Sequence, residues 1–397
     1  MKILIVCQFY YPERFTVSDL AAALVRRGHS VNVVTGKPNY CFNQILPEYR
    51  NVHNEVIEGV NVHRVNLYPR KQSRLSIYRN YLSFHRNAKA YVRKIKEKYD
   101  VVLSISLSPV ISIAPAVLYA KKHHVKHVLH CLDLWPESTV VTGAVKKDSL
   151  IYKILFNWSR KLYLGCDRIL VSSPSFIEYF RDVLKIDNRP FANLPQPALS
   201  SKEKLDPLVF SKPHNFVYVG NIGRLQLIEN LAKAGQLLAN RGDFELHFVG
   251  MGQESEKLKT LIANNRLEGI VTYHGPLMIE QAERFYQNAD ALIVALKNQG
   301  TVGKTIPNKL IHYLKSGKPI IGVISGDGRD VLIASGGAIL SDENPQAISQ
   351  AMSKMMELSK SEKDRMGILN RQYFDDNYEL DKVAQLLEEE LLTAIKS

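Results

Sequence analysis

A chain of 397 residues, 45% of them apolar, can bury a large core, and its length predicts two or three domains rather than a disordered or fibrous protein. Four cysteines, Cys7, Cys41, Cys131 and Cys166, stand far apart without a CxxC pair, which argues against a zinc cluster or a disulfide framework and for reduced thiols in or near strands. The net charge of +13 belongs to one half: residues 1–200 hold 29 Lys+Arg against 14 Asp+Glu, and the remainder nets −2.

The start, MKILIVCQFYYPE, reads as an apolar strand cut short by Tyr11-Pro12, too short and without the cleavage site of a signal peptide. No apolar run reaches the roughly 18 residues that span a bilayer. A cytoplasmic protein is therefore expected. Ser18–Arg27 reads as a helix, with Thr16 and Asp19 as a capping box and Gly28 as its stop, and Val31–Thr35 as the next strand. Residues 70–100 then carry ten Lys/Arg and a single Glu before the final Asp. Leu75, Tyr78, Tyr81, Leu82, Phe84, Ala88, Tyr91, Val92 and Ile95 recur there at helical spacing. One reading is a basic amphipathic helix on an anionic membrane surface, with Arg70, Lys71, Arg74, Arg79, Arg86 and Arg93 as its charged contacts. The other is a packed helix with a solvated outer face. No nucleic-acid motif accompanies the charge, so no nucleic-acid partner is expected.

Strands are predicted at Val101–Ser106, Val125–Leu132 and Arg168–Ser172, before prolines 190, 195, 197, 207 and 213 mark residues 187–215 as a linker. The alternation resumes at Phe216–Val219, Glu245–Val249, Val271–His274, Ala291–Leu296 and Pro319–Ile324. This is the pattern of an α/β protein with two doubly wound parallel-sheet domains, 1–195 and 210–374, facing each other across a hinge. Ligands of such sheets lie beyond the carboxyl ends of strands. Neither GxGxxG nor a Walker A sequence is present, which disfavours ordinary dehydrogenase and P-loop readings.

Three constellations could carry chemistry. In HCLDLWPES, Asp133 sits at the end of the Val125 strand with Glu137 four residues on, and either could serve as general base toward an acceptor hydroxyl; a loop cap or salt bridge is the alternative for each. His130 reads as a satisfied strand residue. In YVGNIGRLQ, Gly220 and Gly223 let the backbone approach a ligand beside Asn221, and Arg224 offers a donor fork for phosphate. Gly250 and His274, in HFVGMG and YHG, offer further approach to a base or ribose. In TIPNKLIHYLKSGKP, Thr305 and Pro307 open a helix, Lys304 and Lys309 flank its start beside Asn308, and Gly317 closes it. Free N–H groups at such a start favour a diphosphate, whereas the plainer alternative is a capped helix with solvated lysines.

The motifs YYPE, RRGHSVNVVTGKPNY, DLWPES, YVGNIG, HFVGMG, YHGPL, QNAD and TIPNKL with SGKP resemble family 4 glycosyltransferases of the GT-B fold, and more narrowly the WbuB-type L-fucosamine transferases of bacterial O-antigen assembly. The resemblance covers nearly the whole chain. It implies two Rossmann-like domains, the second holding the sugar nucleotide, the first the acceptor. A final helix within Met366–Ile395 would cross back, so that about 375–397 join the first domain. It further implies a UDP- or dTDP-sugar donor, a polyprenyl-diphosphate-linked saccharide acceptor, no cofactor or metal, and a peripheral position on the inner face of the plasma membrane.

Departures from the family pattern shape the expectation. Lys304 and His312 occupy the positions of two glutamates that commonly face the donor, and Asn221 and Gln226 those of an Arg and a Lys that commonly neutralise the diphosphate. Leu132 stands where a histidine is common, and no Asp-x-Asp occurs. Charge would then come from Arg224, Lys304 and Lys309, and a 6-deoxy or amino sugar such as N-acetyl-L-fucosamine suits a site with fewer acceptors for hydroxyls. Retention of configuration is usual for the family, whereas a β-L-sugar nucleotide giving an α product would need Asp133 or Glu137 as base for an inverting displacement. A GT-B-like sugar-nucleotide 2-epimerase and a non-catalytic sugar-nucleotide or membrane-binding module are the competing functions.

Overall fold

A computed structural model describes residues 1–397 except 14, 41–42, 72, 199–205 and 207, and omits the side chains of Arg74, Ile279 and Val302. The expectation for Cys41 and much of the polar linker thus lies outside the described residues. Cys7, Cys131 and Cys166 are buried free thiols. The chain divides into two compact units, Met1–Leu199 with Leu380–Ser397, and Ser200–Glu379.

The first unit is built on β1 (Lys2–Val6), β2 (Ser30–Gly36), β3 (Asn54–Ile57), β4 (Val60–Val65), β5 (Val101–Ser106), β6 (Lys126–Cys131), β7 (Arg168–Val171) and β8 (Phe191–Asn193). Their order is β3-β4-β2-β1-β5-β6-β7-β8, parallel throughout except for the β3/β4 hairpin. The central strands need both faces covered, which is why ILIV and VVLSIS are unbroken buried runs. Ile3 and Ile5 pack on Leu20 and Leu24 of the helix Thr16–Arg26, and Leu4 and Val6 on Phe84, Ala88 and Val92 of the helix Arg74–Lys94.

Three sequence expectations are corrected here. Residues 187–215 are not linker throughout, because Phe191–Asn193 pairs in parallel with Ile169–Val171 as the edge strand β8. The capping box on Thr16 does not form: Phe15 is the N-cap, and Ser18 Oγ instead accepts from Tyr11 N at 2.9 Å, tying the loop after β1 to the helix. The final helix is two helices. Lys360–Asn377 belongs to the second unit, and Leu380–Lys396 packs Val383, Ala384, Leu387 and Leu391 into the core of the first. Each buried leucine there contributes about 2 kcal/mol. Glu388 accepts from Arg27 at 2.5 Å and meets His29 Nε2 at 2.7 Å, fixing the helix's register.

The second unit contains β9 (His214–Val219), β10 (Phe244–Val249), β11 (Val271–Gly275), β12 (Ala291–Ala295), β13 (Ile320–Val323) and β14 (Ala338–Leu340), all parallel, in the order β11-β10-β9-β12-β13-β14. Both sheets are doubly wound, as the alternation predicts. Strand order reverses between β9 and β12, and in the first sheet between β1 and β5. Loops leaving those strands therefore flank a crevice at the carboxyl edge, where a ligand can reach backbone groups. Among the described residues no helix is long and apolar enough to cross a membrane.

Candidate active site

In the second unit the loops after β9, β10 and β12 meet. Gly220 and Gly250 have φ of +140° and +136°, and a Cβ on Gly250 would fall 1.9 Å from the Gly220 carbonyl oxygen. Glycine is needed at 250 because one loop lies on the other, and a Cβ on Gly220 would crowd the end of the Lys309 side chain. A Cβ on Gly223 would meet the Asn221 and Gln226 side chains, which hydrogen-bond each other at 3.2 Å.

The helix expected from Thr305 begins at Asn308 and runs to Ser316, with Pro307 as N-cap and Gly317 closing it at φ +64°. Thr305 precedes it, because Val302–Lys304 forms a short 3₁₀ turn that uses up the preceding residues, and Lys304 is exposed at its end. Lys309, in the helix's first turn, carries its ammonium to within 3.0 Å of where a Gly220 Cβ would be. It donates to Tyr218 Oη and lies 3.9 Å over the Tyr218 ring, while Tyr218 Oη donates to Asn221 O at 2.7 Å. Burial pushes the Lys309 ammonium down to about 7. Beside it, Asn308 Oδ1 is buried without a hydrogen-bond partner. One turn on, His312 is half-buried and pushed down to about 4 by burial, with Lys315 adding to the effect. Tyr313 accepts from Val219 N at 2.8 Å and clamps this helix to the end of β9.

Arg224 and His274 are not drawn into this group. Arg224 is 78% exposed with Nε 3.4 Å from Glu254, since its position in the turn after β9 aims it outward. His274 Nε2 meets His247 Nδ1 at 3.1 Å, and His247 Nε2 reaches Asn215 Oδ1 at 3.1 Å. That chain runs across the sheet face under Phe285.

In the first unit Asp133 lies two residues past β6, half-buried, and loss of hydration pushes its carboxyl up to about 6 against the opposing bonds from Ser138 and the Leu134 N–H. Ser138 Oγ is 3.5 Å from Ser108 Oγ, which accepts from Trp135 Nε1 at 2.5 Å, so the loops after β5 and β6 are joined. Glu137 stands apart from this. It opens the short helix Glu137–Val141, is 8% exposed, and its Oε1 accepts from Tyr152 Oη at 2.6 Å and Tyr179 Oη at 3.3 Å. A carboxylate spent on two buried tyrosines ties three segments together and is poorly placed to take a substrate proton. Glu137→Ala orphans both hydroxyls, and the expected loss is about 2–3 kcal/mol, read as a fall of about 5–10 °C in melting temperature by thermal denaturation.

A polar network at the same edge was not anticipated. Asn39 Oδ1 accepts from Asn80 Nδ2 at 2.8 Å and Arg70 N at 2.9 Å, and Gln8 Nε2 donates to Asn80 Oδ1 at 2.7 Å, leaving Gln8 Oε1 buried without a partner. Glu13 accepts from the N–H groups of Asn39 and Tyr40, and burial pushes its carboxyl up to about 6. Arg70 Nη1 donates to Tyr81 Oη at 2.6 Å, and its guanidinium lies 4.7 Å over Tyr40. Burial raises the Tyr81 hydroxyl, and the Asp133 charge adds to it, which places Asp133 within electrostatic reach of this network. The available signal was Asn80: it falls four residues before Phe84 and eight before Ala88, a polar residue on the buried stripe of its helix. Arg79, Arg86 and Arg93 are exposed on the outer face of that helix and Lys71 is exposed just before it; the Arg74 side chain lies outside the described residues.

Two parallel doubly wound sheets, each with a switch point at its carboxyl edge, define the class by architecture: this is the GT-B fold. More particularly, the chain belongs to the glycosyltransferases whose first domain matches the family described as "Glycosyl transferase 4-like domain", over residues 14–195, and whose second matches "Glycosyl transferases group 1", over residues 213–358. It is 24% identical over 303 residues to a protein described as "Probable glycosyltransferase WbjE" from Pseudomonas aeruginosa, spanning 70% of this chain and 71% of that protein. Among solved structures it is similar to sucrose-phosphate synthase from Thermosynechococcus elongatus, with a TM-score of 0.73 and 17% identity over 99% of both chains. It is also similar to WaaG, a glycosyltransferase involved in lipopolysaccharide biosynthesis, with a TM-score of 0.65 and 14% identity over 97% of this chain and 99% of that one. Anabaena HepE in complex with UDP and glucose gives a TM-score of 0.69 and 12% identity over 98% and 99%.

Proposed function

We propose that this glycosyltransferase moves a 6-deoxy or amino sugar, N-acetyl-L-fucosamine in the WbuB-type reading, from a UDP- or dTDP-linked donor to a polyprenyl-diphosphate-linked saccharide in O-antigen or capsule assembly. The observation that carries the donor half is Lys309, a desolvated ammonium at a helix start beside an orphaned Asn308 oxygen. A diphosphate there would restore the charge compensation that burial removes. The complex of HepE with UDP and glucose supports a nucleotide-sugar donor, and the involvement of WaaG in lipopolysaccharide biosynthesis supports an envelope polysaccharide.

In the proposed inverting step Asp133 takes the proton of the acceptor hydroxyl as its oxygen bonds to the sugar's anomeric carbon. The bond from that carbon to the donor diphosphate breaks, and the electron pair leaves with the diphosphate. Arg70, held over Tyr40, is the candidate cation for the acceptor's diphosphate, and the exposed arginines of Arg74–Lys94 would draw the protein to the anionic inner membrane face.

The test is incubation with a panel of UDP- and dTDP-sugars and prenyl-diphosphate-linked N-acetylglucosamine. A lipid product heavier by one deoxy or amino sugar, with its anomer read by NMR, is the expected result. Release of an epimerised sugar nucleotide, or donor binding without turnover on any acceptor, overturns the proposal.

A further inference from the structure

The helix Leu150–Tyr163 has two unlike faces. Its inner face carries Tyr152, which donates to Glu137, and Tyr163, whose oxygen accepts from Trp135 N at 3.3 Å; both grip the loop that holds Asp133. Its outer face carries Leu150, Ile151, Ile154 and Trp158, which are 75%, 61%, 59% and 36% exposed. Four large apolar side chains at helical spacing facing water are unfavourable unless something covers them. The helix Arg74–Lys94 repeats the pattern, with Leu75, Tyr78 and Leu82 exposed on the face that also bears Arg79, Arg86 and Arg93. Both helices pack on the same short turn, Val110–Ile113.

Charge identifies the cover. Neither helix contains an acidic residue, and Lys146, Lys147, Lys153 and Lys161 are exposed around the apolar stripe of Leu150–Tyr163. A second copy docking through this face would set lysine against lysine with only Asp148 in the adjoining loop to offset them. An anionic bilayer matches both features, accepting apolar side chains below its headgroups and cations among them.

We infer that the outer face of Leu150–Tyr163 inserts into the headgroup layer of an anionic membrane, together with Arg74–Lys94, so that the helix bracing the Asp133 loop is itself the lipid contact. The inference rests on the proposed lipid-borne acceptor. It gives that acceptor a short path: a prenyl chain in the bilayer would present its saccharide next to the element that positions the base.

The test uses the full chain and vesicles of phosphatidylethanolamine with about a quarter phosphatidylglycerol. The chain has two tryptophans, and Trp135 is buried, so Trp158 reports on the stripe. Vesicles are expected to shift the emission to the blue, and Trp158→Phe to remove the shift. Ile151→Glu with Ile154→Glu should lower flotation at least about ten-fold while leaving turnover on a water-soluble acceptor intact. Unchanged flotation of that variant overturns the inference, as does flotation of the unaltered protein without a change in Trp158 emission. Concentration-dependent dimerisation without vesicles, abolished by the same pair, would assign the face to a second copy. Flotation is read without any sugar, so failure of the donor panel leaves it standing and its failure leaves the donor panel standing.

Discussion

Asp133→Asn lowers turnover by about 10²–10⁴-fold while leaving the donor KM near its original value, because the amide keeps the shape of the loop and loses the ability to take a proton. The pH dependence carries the sign. Burial raises the carboxyl to about 6, so the base is fully ionised only above that value, and kcat/KM for the acceptor falls tenfold per pH unit below it. In the variant this acid limb disappears. Glu137→Gln, which keeps an oxygen for Tyr152 and Tyr179, retains most of the turnover. Measured kcat values for the two variants separate the roles: near-full activity of Asp133→Asn removes it as the base, and collapse of Glu137→Gln with an intact melting temperature returns the role to Glu137.

Lys309→Met is expected to weaken donor binding by about 10²-fold, the loss of a desolvated, charge-assisted contact worth about 3 kcal/mol. In the free protein burial holds this ammonium near 7, so its charge is lost as pH rises through that value and donor affinity declines above it. An arriving diphosphate favours the charged form, so binding at pH 8 takes up a proton. Titration calorimetry in buffers of different ionisation enthalpy reads that uptake, and in Lys309→Met it vanishes. Affinity and proton uptake unchanged in the variant would place the diphosphate elsewhere. Lys309→Arg is no rescue, because the guanidinium cannot occupy the space above Gly220 in which the single nitrogen meets the Tyr218 ring.

The central strands were legible because burial on both faces leaves a continuous apolar signature, as in ILIV, VVLSIS and ALIVA. The β3/β4 hairpin carries a local signal, since Glu58-Gly59, with φ of 48° and 81°, separates two runs by two residues, the turn that matches strand twist. β8 was hidden because proline content says where hydrogen bonds end, and three paired residues need few of them. At the site, the helix start with Lys309 could be read from TIPNKL, since capping is local chemistry. What Gly250 packs against, which way Arg224 turns and why Glu137 is buried depend on contacts between residues far apart in the chain, which spacing does not encode. The Asn39–Asn80–Gln8 network is of that kind too, apart from the single polar residue on an apolar stripe.

The return of Leu380–Lys396 to the first unit has a consequence for synthesis. Val383, Ala384, Leu387 and Leu391 complete a core whose other members come mostly from the first 200 residues. While the second unit is being translated, the groove between the helix Thr16–Arg26 and strands β5 and β6 is left without its filling helix, an apolar surface of the sort that chaperones hold. The first unit can reach its native packing only after residues beyond Leu380 have left the ribosome, so the half made first is finished last.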